Sequence, residues 1–403
     1  MHGTESTSVF AWPSHNHRAS VAAPTILAEL FGQAGIEING ARPFDIQVLD
    51  PRVYRAILAH WSLGLGESYM DGFWDCERLD ELITRLLSAN LYDRAKGPAR
   101  LRLWGHVLRA RLLNLQSSAR AFQVGEHHYN IGNDLFERML DPLMIYSCAY
   151  WERATHLAQA QRDKLDMICK KLDLRPGERL LDIGCGWGGL AQYAAKHYGV
   201  HVHGVTVSSE QRRHALVRCA GLPVTIDLVD YRELRGTYDK IVSVGMFEHV
   251  GLKNYLSYFD AVHRLLAEQG VFLLHTIGAD ITAPSTDPWI DRYIFPNGKI
   301  PGPSELVAAL EGRFLIEDWH NFGPDYDRTL MAWDANFVTR WPEIGAGYSQ
   351  RFFRMWRYYL LACAGYFRSR QGQLWQLVLT KQSRRSPYRS FRFSQDSPIT
   401  GNQ

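Results

Sequence analysis

A glycine-rich segment near the middle of the chain has the residue types of a turn that binds a ligand through its backbone. Leu180 and Leu181 precede Asp182, and four glycines follow within six positions, namely Gly184, Gly186, Gly188 and Gly189. This order predicts a buried strand, a tight turn and the start of a helix. Glycines let a ligand approach the backbone closely, and free N–H groups at a helix start can donate hydrogen bonds to it.

Two ligand classes use such a turn, and the flanking residues favour one of them. The dinucleotide fingerprint G-x-G-x-x-G is matched only loosely, by Gly184, Gly186 and Gly189. Asp182 before the first glycine suits a nucleoside or amino-acid ligand better than a pyrophosphate. The second predicted strand ends at Thr206 instead of an acid for ribose hydroxyls, which counts against both classes but more against NAD. We therefore predict an S-adenosylmethionine site, with a purely structural glycine turn as the alternative.

The elements around this turn alternate between strands and helices, which predicts an α/β fold with a parallel sheet covered on both faces. Predicted strands lie at 179–183, 201–207, 224–228, 240–245, 270–275 and 374–380. Predicted helices include 190–197, 209–218, 252–266 and 356–367. Ligands of such sheets bind beyond the carboxyl ends of the strands. Those ends carry Asp182, Thr206, Asp230 with Tyr231, Glu248 with His249, and His275 with Thr276.

Composition excludes several classes of protein. The chain has 403 residues, 46% hydrophobic and 22% charged, which is ordinary for a soluble protein with two domains. A net charge of +3 does not imply nucleic acid, although it is compatible with an anionic membrane surface. The six cysteines form no C-x-x-C pair and no metal-ligand grouping, so we expect no metal and a reducing cytoplasm. No stretch approaches the ~18 apolar residues that span a bilayer.

Five zones follow from the residue patterns. We predict a disordered N-terminus at 1–23, a small mainly helical domain at 24–95 and an arginine-rich linker at 96–120. That linker is either a solvated connector or a membrane contact. Residues 121–380 form the predicted catalytic domain, and 381–403 a flexible basic tail.

A series of ordered motifs between about residues 36 and 380 resembles the bacterial cyclopropane-fatty-acyl-phospholipid synthases. The motifs include HYNIGNDLF at 128–136, YSCAYW at 146–151, GMFEHVG at 245–251, LHTIG at 274–278 and ACAG at 362–365. Residues 62–72 resemble the N-terminal domain of the longer members. The resemblance implies a class I S-adenosylmethionine-dependent methyltransferase domain, Rossmann-like, after a small lipid-associating domain.

The resemblance also implies the reaction and its residues. A methylene would pass from S-adenosylmethionine to the double bond of an unsaturated acyl chain, and a bound bicarbonate would take the proton. Its cage would comprise Cys148, Glu248, His275, Tyr326 and the backbone at Ile277. From the residues alone, a core histidine, a helix-capping carboxylate and a packed aromatic remain the alternatives. A catalytic role has been attributed to the cysteine of the family motif, which is Cys363 in this chain. The apolar helical setting of Cys363 favours a structural or pocket-lining role instead.

The donor-binding residues implied by the same resemblance come from four segments. They are Tyr146, Ser147, Asp182, Gly184, Cys185, Gly186, Trp187, Gly188, Gly189, Thr206, Ser208, Gln211, Asp230, Tyr231 and Arg232. The first pair would contact the methionine end of the donor and the last three the adenine.

Partners and location are likewise implied by the family. We expect contact with a phospholipid bilayer surface and its unsaturated acyl chains, a homodimer, no nucleic acid, and a cytoplasmic protein peripheral to the inner face of the cytoplasmic membrane. Three alternatives stay open: methylation of a small amine, formation of a methyl-branched lipid, and a non-catalytic donor-binding protein.

Overall fold

The computed structural model describes residues 22–89, 132–283 and 285–393. The predicted linker at 96–120 lies outside the described residues, as do almost all of the predicted disordered N-terminus, the start of the motif at 128–136 and the last ten residues of the tail.

The N-terminal part is mainly helical and carries one pair of short strands. Its elements are α1 (Thr25–Gln33), β1 (Gln47–Val48), α2 (Arg52–Met70), β2 (Trp74–Asp75) and α3 (Leu79–Ser88). Helix α2 is broken at Trp61, whose φ is 50° and ψ is −122°. The helix therefore consists of two helical arms that meet at Trp61.

A seven-stranded sheet forms the centre of the part that follows, within the described residues. Its strands are β3 (Arg179–Ile183), β4 (His201–Thr206), β5 (Val224–Leu228), β6 (Tyr238–Val244), β7 (Leu266–Ala279), β8 (Phe314–Asn321) and β9 (Gly372–Lys381). The order is β5–β4–β3–β6–β7–β9–β8. The first five of these run parallel, as predicted, and β9 is antiparallel to both β7 and β8. Strand β8 had no counterpart among the predicted strands.

Helices cover both faces of this sheet. They are α4 (Asn133–Met139), α5 (Leu157–Lys171), α6 (Gly189–Tyr198), α7 (Ser209–Arg218), α8 (Tyr255–Leu265), α9 (Pro288–Tyr293), α10 (Pro303–Leu310), α11 (Pro324–Ile344) and α12 (Gln350–Arg368). Leu181 of β3 packs in one apolar cluster with α8, whereas its neighbour Leu180 packs in another with α5 and α6. Every residue of β9 is buried, including the polar Gln373 and Gln376, because both faces of the sheet are covered.

The N-terminal part and the sheet domain share one hydrophobic core. Trp74 and Leu82 belong to the same cluster as Trp356 and Leu361 of α12. At the edge of this contact, Arg368 forms a double hydrogen bond with Asp327 at 2.8 and 2.9 Å and also pairs with Asp80 of α3. The aromatic residues of α12 therefore serve mainly as core.

Residues 381–393 of the predicted flexible tail pack against the sheet. Arg392 pairs with Asp318 of β8 at 2.7 Å, and the Tyr388 hydroxyl donates to the carbonyl of Lys171 at 2.9 Å. The side chains of this stretch find partners on β8 and α5. The predicted flexibility of 381–403 stays a prediction.

Candidate active site

A cavity of about 200 Å³ opens at the carboxyl ends of β3, β4 and β6, where the sheet rule places a ligand. Every predicted donor-binding residue lines it except Gly188 and Ser208. Gly188 has a φ of 80°, and a Cβ there would lie 3.0 Å from Cβ of Ala215. The Ser208 side chain accepts a hydrogen bond from the Gln211 N–H at 3.3 Å and so caps α7. These two residues shape the cavity without lining it.

A turn that is stabilised by hydrogen bonds to Asp141 brings Tyr146 and Ser147 to the cavity. The Asp141 carboxylate accepts hydrogen bonds from the N–H groups of Leu143 and Ile145, both at 2.9 Å. The turn meets the start of α6 so closely that a Cβ on Gly189 would lie 2.4 Å from the Leu143 carbonyl oxygen. Glycine at this position is therefore required by packing as well as by ligand access.

A carboxylate and an amine are buried at one end of the cavity. Asp182 is 2% exposed, its Oδ2 has no hydrogen-bond partner among the described residues, and burial raises its pKa to about 7. Lys164 of α5 is fully buried and donates from Nζ to Ser147 Oγ at 2.8 Å, and burial lowers its pKa to about 8. Such a pair can receive a ligand that carries both an amino and a carboxylate group.

The other end of the cavity is lined by paired polar groups and one aromatic ring. Thr206 Oγ1 donates to Gln211 Oε1 at 2.9 Å, and Arg232 Nε donates to Asp230 Oδ1 at 2.8 Å. The Tyr231 ring lines the cavity beside them and packs against Tyr258, with ring centroids 5.4 Å apart.

Trp187, inside the glycine turn, ties the cavity to α4. Its Nε1 donates to Asn133 Oδ1 at 3.0 Å, and its ring centroid lies 4.9 Å from that of Phe136. Helix α4, which begins in the 128–136 motif, therefore packs directly on the glycine turn.

A second polar cluster lies beside the cavity and is built around Glu248. Its Oε1 accepts a hydrogen bond from the Ile277 N–H at 2.7 Å, whereas Oε2 has no partner among the described residues. Burial raises the pKa of this carboxyl to about 7. The side chain can thus hold or release a proton near neutral pH.

His275 adds a ring nitrogen that no described residue satisfies. The side chain is 1% exposed, Nδ1 faces the Gln376 amide at 3.1 Å, and Nε2 has no partner in the described ranges. Burial, together with nearby Lys164 and Lys171, holds the pKa of His275 well below its usual value, so the ring is neutral.

The remaining predicted catalytic residues surround the same cluster. Ile277 and Tyr326 pack in one apolar cluster with Cys148. Burial, together with the nearby Cys148, Glu248 and Cys363, raises the pKa of the Tyr326 hydroxyl well above its usual value. The Cys148 thiol donates to the Ala149 carbonyl at 3.2 Å. Burial raises the pKa of Cys148 well above its usual value and that of Cys363 to about 12. Both cysteines are therefore thiols, and neither is poised as a nucleophile.

The comparisons identify the family. A family model described as mycolic acid cyclopropane synthetase matches residues 116–377, which is more than half of the chain. The chain belongs to this family. The cyclopropane-fatty-acyl-phospholipid synthase of Escherichia coli (strain K12) is 56% identical over 356 residues, 88% of this chain and 93% of that protein. Tuberculostearic acid methyltransferase UfaA1 of Mycobacterium tuberculosis is 33% identical and covers 81% of each chain.

Solved structures agree with this assignment. The cyclopropane synthase MmaA2 of Mycobacterium tuberculosis superposes with a TM-score of 0.61 at 32% identity, over 67% of this chain and 100% of that one. Coclaurine N-methyltransferase, at 20% identity and a TM-score of 0.65 over 79% of this chain and 99% of that one, shows the fold alone. The predicted fold class is thereby confirmed: this cyclopropane synthase family member is an S-adenosylmethionine-dependent methyltransferase.

Two residues of this family member's site were not among the predicted ones. Lys164 could have been found, because it falls on the helical stripe of Leu157, Ala160 and Ile168 that faces the core. His249 also lines the cavity, and burial lowers its pKa to about 4, so it is a neutral ring in the wall. The sequence placed it at a strand end beside Glu248, but it was not among the predicted binding or catalytic residues.

Two kinds of feature are absent from the described ranges. No helix there combines the length and apolar character of a membrane span. No three His, Cys, Asp or Glu side chains in those ranges are grouped as a metal site would need.

Proposed function

We propose that this protein forms cyclopropane rings on unsaturated acyl chains of membrane phospholipids, with S-adenosylmethionine as donor and bicarbonate as base. The alkene takes the sulfonium methyl group, the resulting carbocation loses a proton from that group, and the ring closes. The observation that carries the proposal is a pair of buried atoms, Glu248 Oε2 and His275 Nε2, that have no partner among the described residues and lie beside the donor cavity. The 56% identity to a named cyclopropane-fatty-acyl-phospholipid synthase supports it.

The residues of the cavity fit the donor. Asp182 Oδ2 would receive the amino group of the methionine end, while Lys164 and Ser147 would receive its carboxylate. The glycine turn and Tyr231 would flank the nucleoside. The relative CmaA1, 32% identical, was solved in complex with S-adenosylhomocysteine, which supports this use of the fold.

The residues of the second cluster fit a small anion that also carries a hydroxyl group. A neutral His275 with its proton on Nε2 would donate to an oxygen, and an ionised Glu248 would accept the hydroxyl proton. The Tyr326 hydroxyl is a further donor, and the Cys148 thiol would become one if it turned away from the Ala149 carbonyl. Bound there, bicarbonate would supply a base, which is worth about 10²–10⁴ in rate when correctly placed, and a negative charge near the developing cation.

The chain's own contribution is to keep this anion unhydrated and correctly placed. Cys148 and His275 are buried and Glu248 Oε2 is inaccessible to solvent, so little water would compete for the cation. Interactions between charges are stronger in such a setting than in water. The thiols stay protonated and therefore do not trap the donor's methyl group.

The lipid must leave the bilayer for an equally apolar place, because exposing each CH₂ costs about 0.8 kcal/mol. We propose that the aromatic residues around Tyr146 provide it: its ring lies 5.1 Å from Trp333, and its hydroxyl lies 2.8 Å from that of Tyr359. Contact with the inner face of the cytoplasmic membrane, and a homodimer that adds avidity, rest on the resemblance. Co-sedimentation with anionic and neutral vesicles, and light scattering, test these two points.

Product analysis tests the reaction. The protein is mixed with monounsaturated phospholipid vesicles, donor with a trideuterated methyl group, and bicarbonate, and the acyl chains are read by mass spectrometry. A gain of CD₂ that is lost in Glu248→Gln and kept in Glu77→Gln, an exposed glutamate, is the expected result. A retained CD₃ group would indicate methyl branching instead. Absence of label from the lipid would contradict the proposal.

A further inference from the structure

A row of polar side chains crosses three adjacent strands next to the proposed bicarbonate cage. His275 of β7 is in register with Gln376 of β9, which is in register with His320 of β8. Side chains at one register level of adjacent strands point to the same face of a sheet. Lys171, the last residue of α5, covers this row from that face.

The contacts along the row are short and continuous. Gln376 faces Nδ1 of His275 at 3.1 Å and receives a hydrogen bond from Lys171 Nζ at 2.8 Å. The same Nζ lies 3.1 Å from Nδ1 of His320 and 4.0 Å from Asp318. Lys171, Gln376 and His275 are all at most 1% exposed, so water does not substitute for any of these partners.

The chemistry of these partners determines where the His275 proton lies. Burial lowers the pKa of Lys171 to about 7, and Asp318, 4.0 Å from its Nζ, favours the ammonium form. An ammonium group only donates, so Gln376 then turns its oxygen towards Lys171 and its NH₂ group towards His275. The amide NH₂ also only donates, so Nδ1 of His275 must accept and carries no proton. The single proton of the neutral ring then lies on Nε2, the atom that has no partner among the described residues.

We propose that Gln376 and Lys171 are positioning residues that hold His275 as the Nε2-protonated tautomer, so that it donates a hydrogen bond to the anion in the cage. This inference rests on the proposed function, because the anion is the bicarbonate of that proposal. Neither side chain touches the reacting atoms. Without them the ring could place its proton on Nδ1 and would then present a lone pair to an anion.

Gln376→Glu reverses the direction of the bond. A carboxylate beside Lys171 accepts from Nδ1–H, which moves the proton away from Nε2. We expect the apparent KM for bicarbonate to rise by about 10- to 100-fold, the value of one hydrogen bond to an ion. Binding of S-adenosylhomocysteine, measured by calorimetry, should stay within about threefold of wild type, because the donor residues lie elsewhere.

Two further variants keep the test decisive if Gln376→Glu folds poorly. Lys171→Met removes the donor that orients the amide, and should raise the KM for bicarbonate in the same direction. Gln373→Glu makes the same chemical change on the same strand but on the opposite face, where Gln373 accepts from Asn321 at 2.6 Å. It should leave the KM for bicarbonate unchanged.

The tautomer itself is read by ¹⁵N NMR of histidine-labelled protein, with the His275 signals identified by their loss in His275→Gln. Wild type should show the proton on Nε2, and Gln376→Glu should show it on Nδ1. A wild-type proton on Nδ1, or an unchanged KM for bicarbonate in both Gln376→Glu and Lys171→Met, would overturn the inference. If wild-type turnover does not depend on bicarbonate, the proposed base is wrong, and the inference fails with it even where the tautomer is as expected.

Discussion

Replacing Glu248 by glutamine should stabilise the ligand-free protein and abolish ring closure. Glutamine can keep the hydrogen bond from the Ile277 N–H, which Oε1 accepts at 2.7 Å. It removes a carboxyl whose pKa burial raises from 4.5 to about 7. A raised pKa means that the folded state binds the proton more tightly than the unfolded state. This residue therefore favours folding most below pH 4.5 and loses that contribution as the pH rises through about 7.

The size of the effect follows from the two pKa values. The difference between 4.5 and about 7 corresponds to about 3 kcal/mol, at about 1.4 kcal/mol for each pKa unit. Part of it has already developed at pH 5. Between pH 5 and pH 8.5 we therefore expect the free energy of unfolding of wild type to fall by about 2–3 kcal/mol relative to Glu248→Gln.

Urea denaturation at both pH values, without donor or bicarbonate, measures this difference. Glu77→Gln is the matched control, because Glu77 is exposed. Asp182 also has a raised pKa, but it is present in all three proteins and its contribution cancels. A stability gain that is the same at pH 5 and pH 8.5, or absent at pH 8.5, would refute the assignment of a buried, unpartnered carboxylate.

Three further predictions concern the donor, a cysteine and the packing between domains. Lys164→Met should weaken S-adenosylhomocysteine binding by about 30-fold, measured by calorimetry, yet hardly affect its decarboxylated analogue; equal losses would place the carboxylate elsewhere. Cys363→Ala should keep turnover within about threefold in the product assay, because its thiol has a pKa of about 12 and is no nucleophile; a hundredfold loss would restore a catalytic role. Gly365→Val should lower the free energy of unfolding, measured in urea, by about 1–3 kcal/mol, because a Cβ there would lie 2.9 Å from Cβ of Ile83. Gly347→Val is the control and should not lower it, because a Cβ at Gly347 meets open space.

The parallel core and the donor turn could be predicted because their signals are local. Strand β3 is an apolar run that ends in Asp182 and glycine, and both features are visible in consecutive residues. Strand β8 could not, because it lies at the sheet edge with an irregular burial pattern and a register shift between Ile316 and Asp318. The hydrogen bonds of Gln376 depend on the register of three strands that are distant in sequence, which no local pattern reveals.

The site contains buried ionisable groups whose charged forms would need a ligand as partner. Among the described residues, Asp182 and Glu248 each have a buried oxygen without a partner, and Lys164 donates to the neutral Ser147 hydroxyl. Burying a charge without a partner is expensive, so the ligand-free protein shifts these pKa values towards neutrality instead. The proposed donor, with a sulfonium, an amino and a carboxylate group, and a small hydroxylated anion would supply a counter-charge or hydrogen-bond partner for each. In that arrangement the positive charge would lie between Asp182 and the anion held by Glu248 and His275.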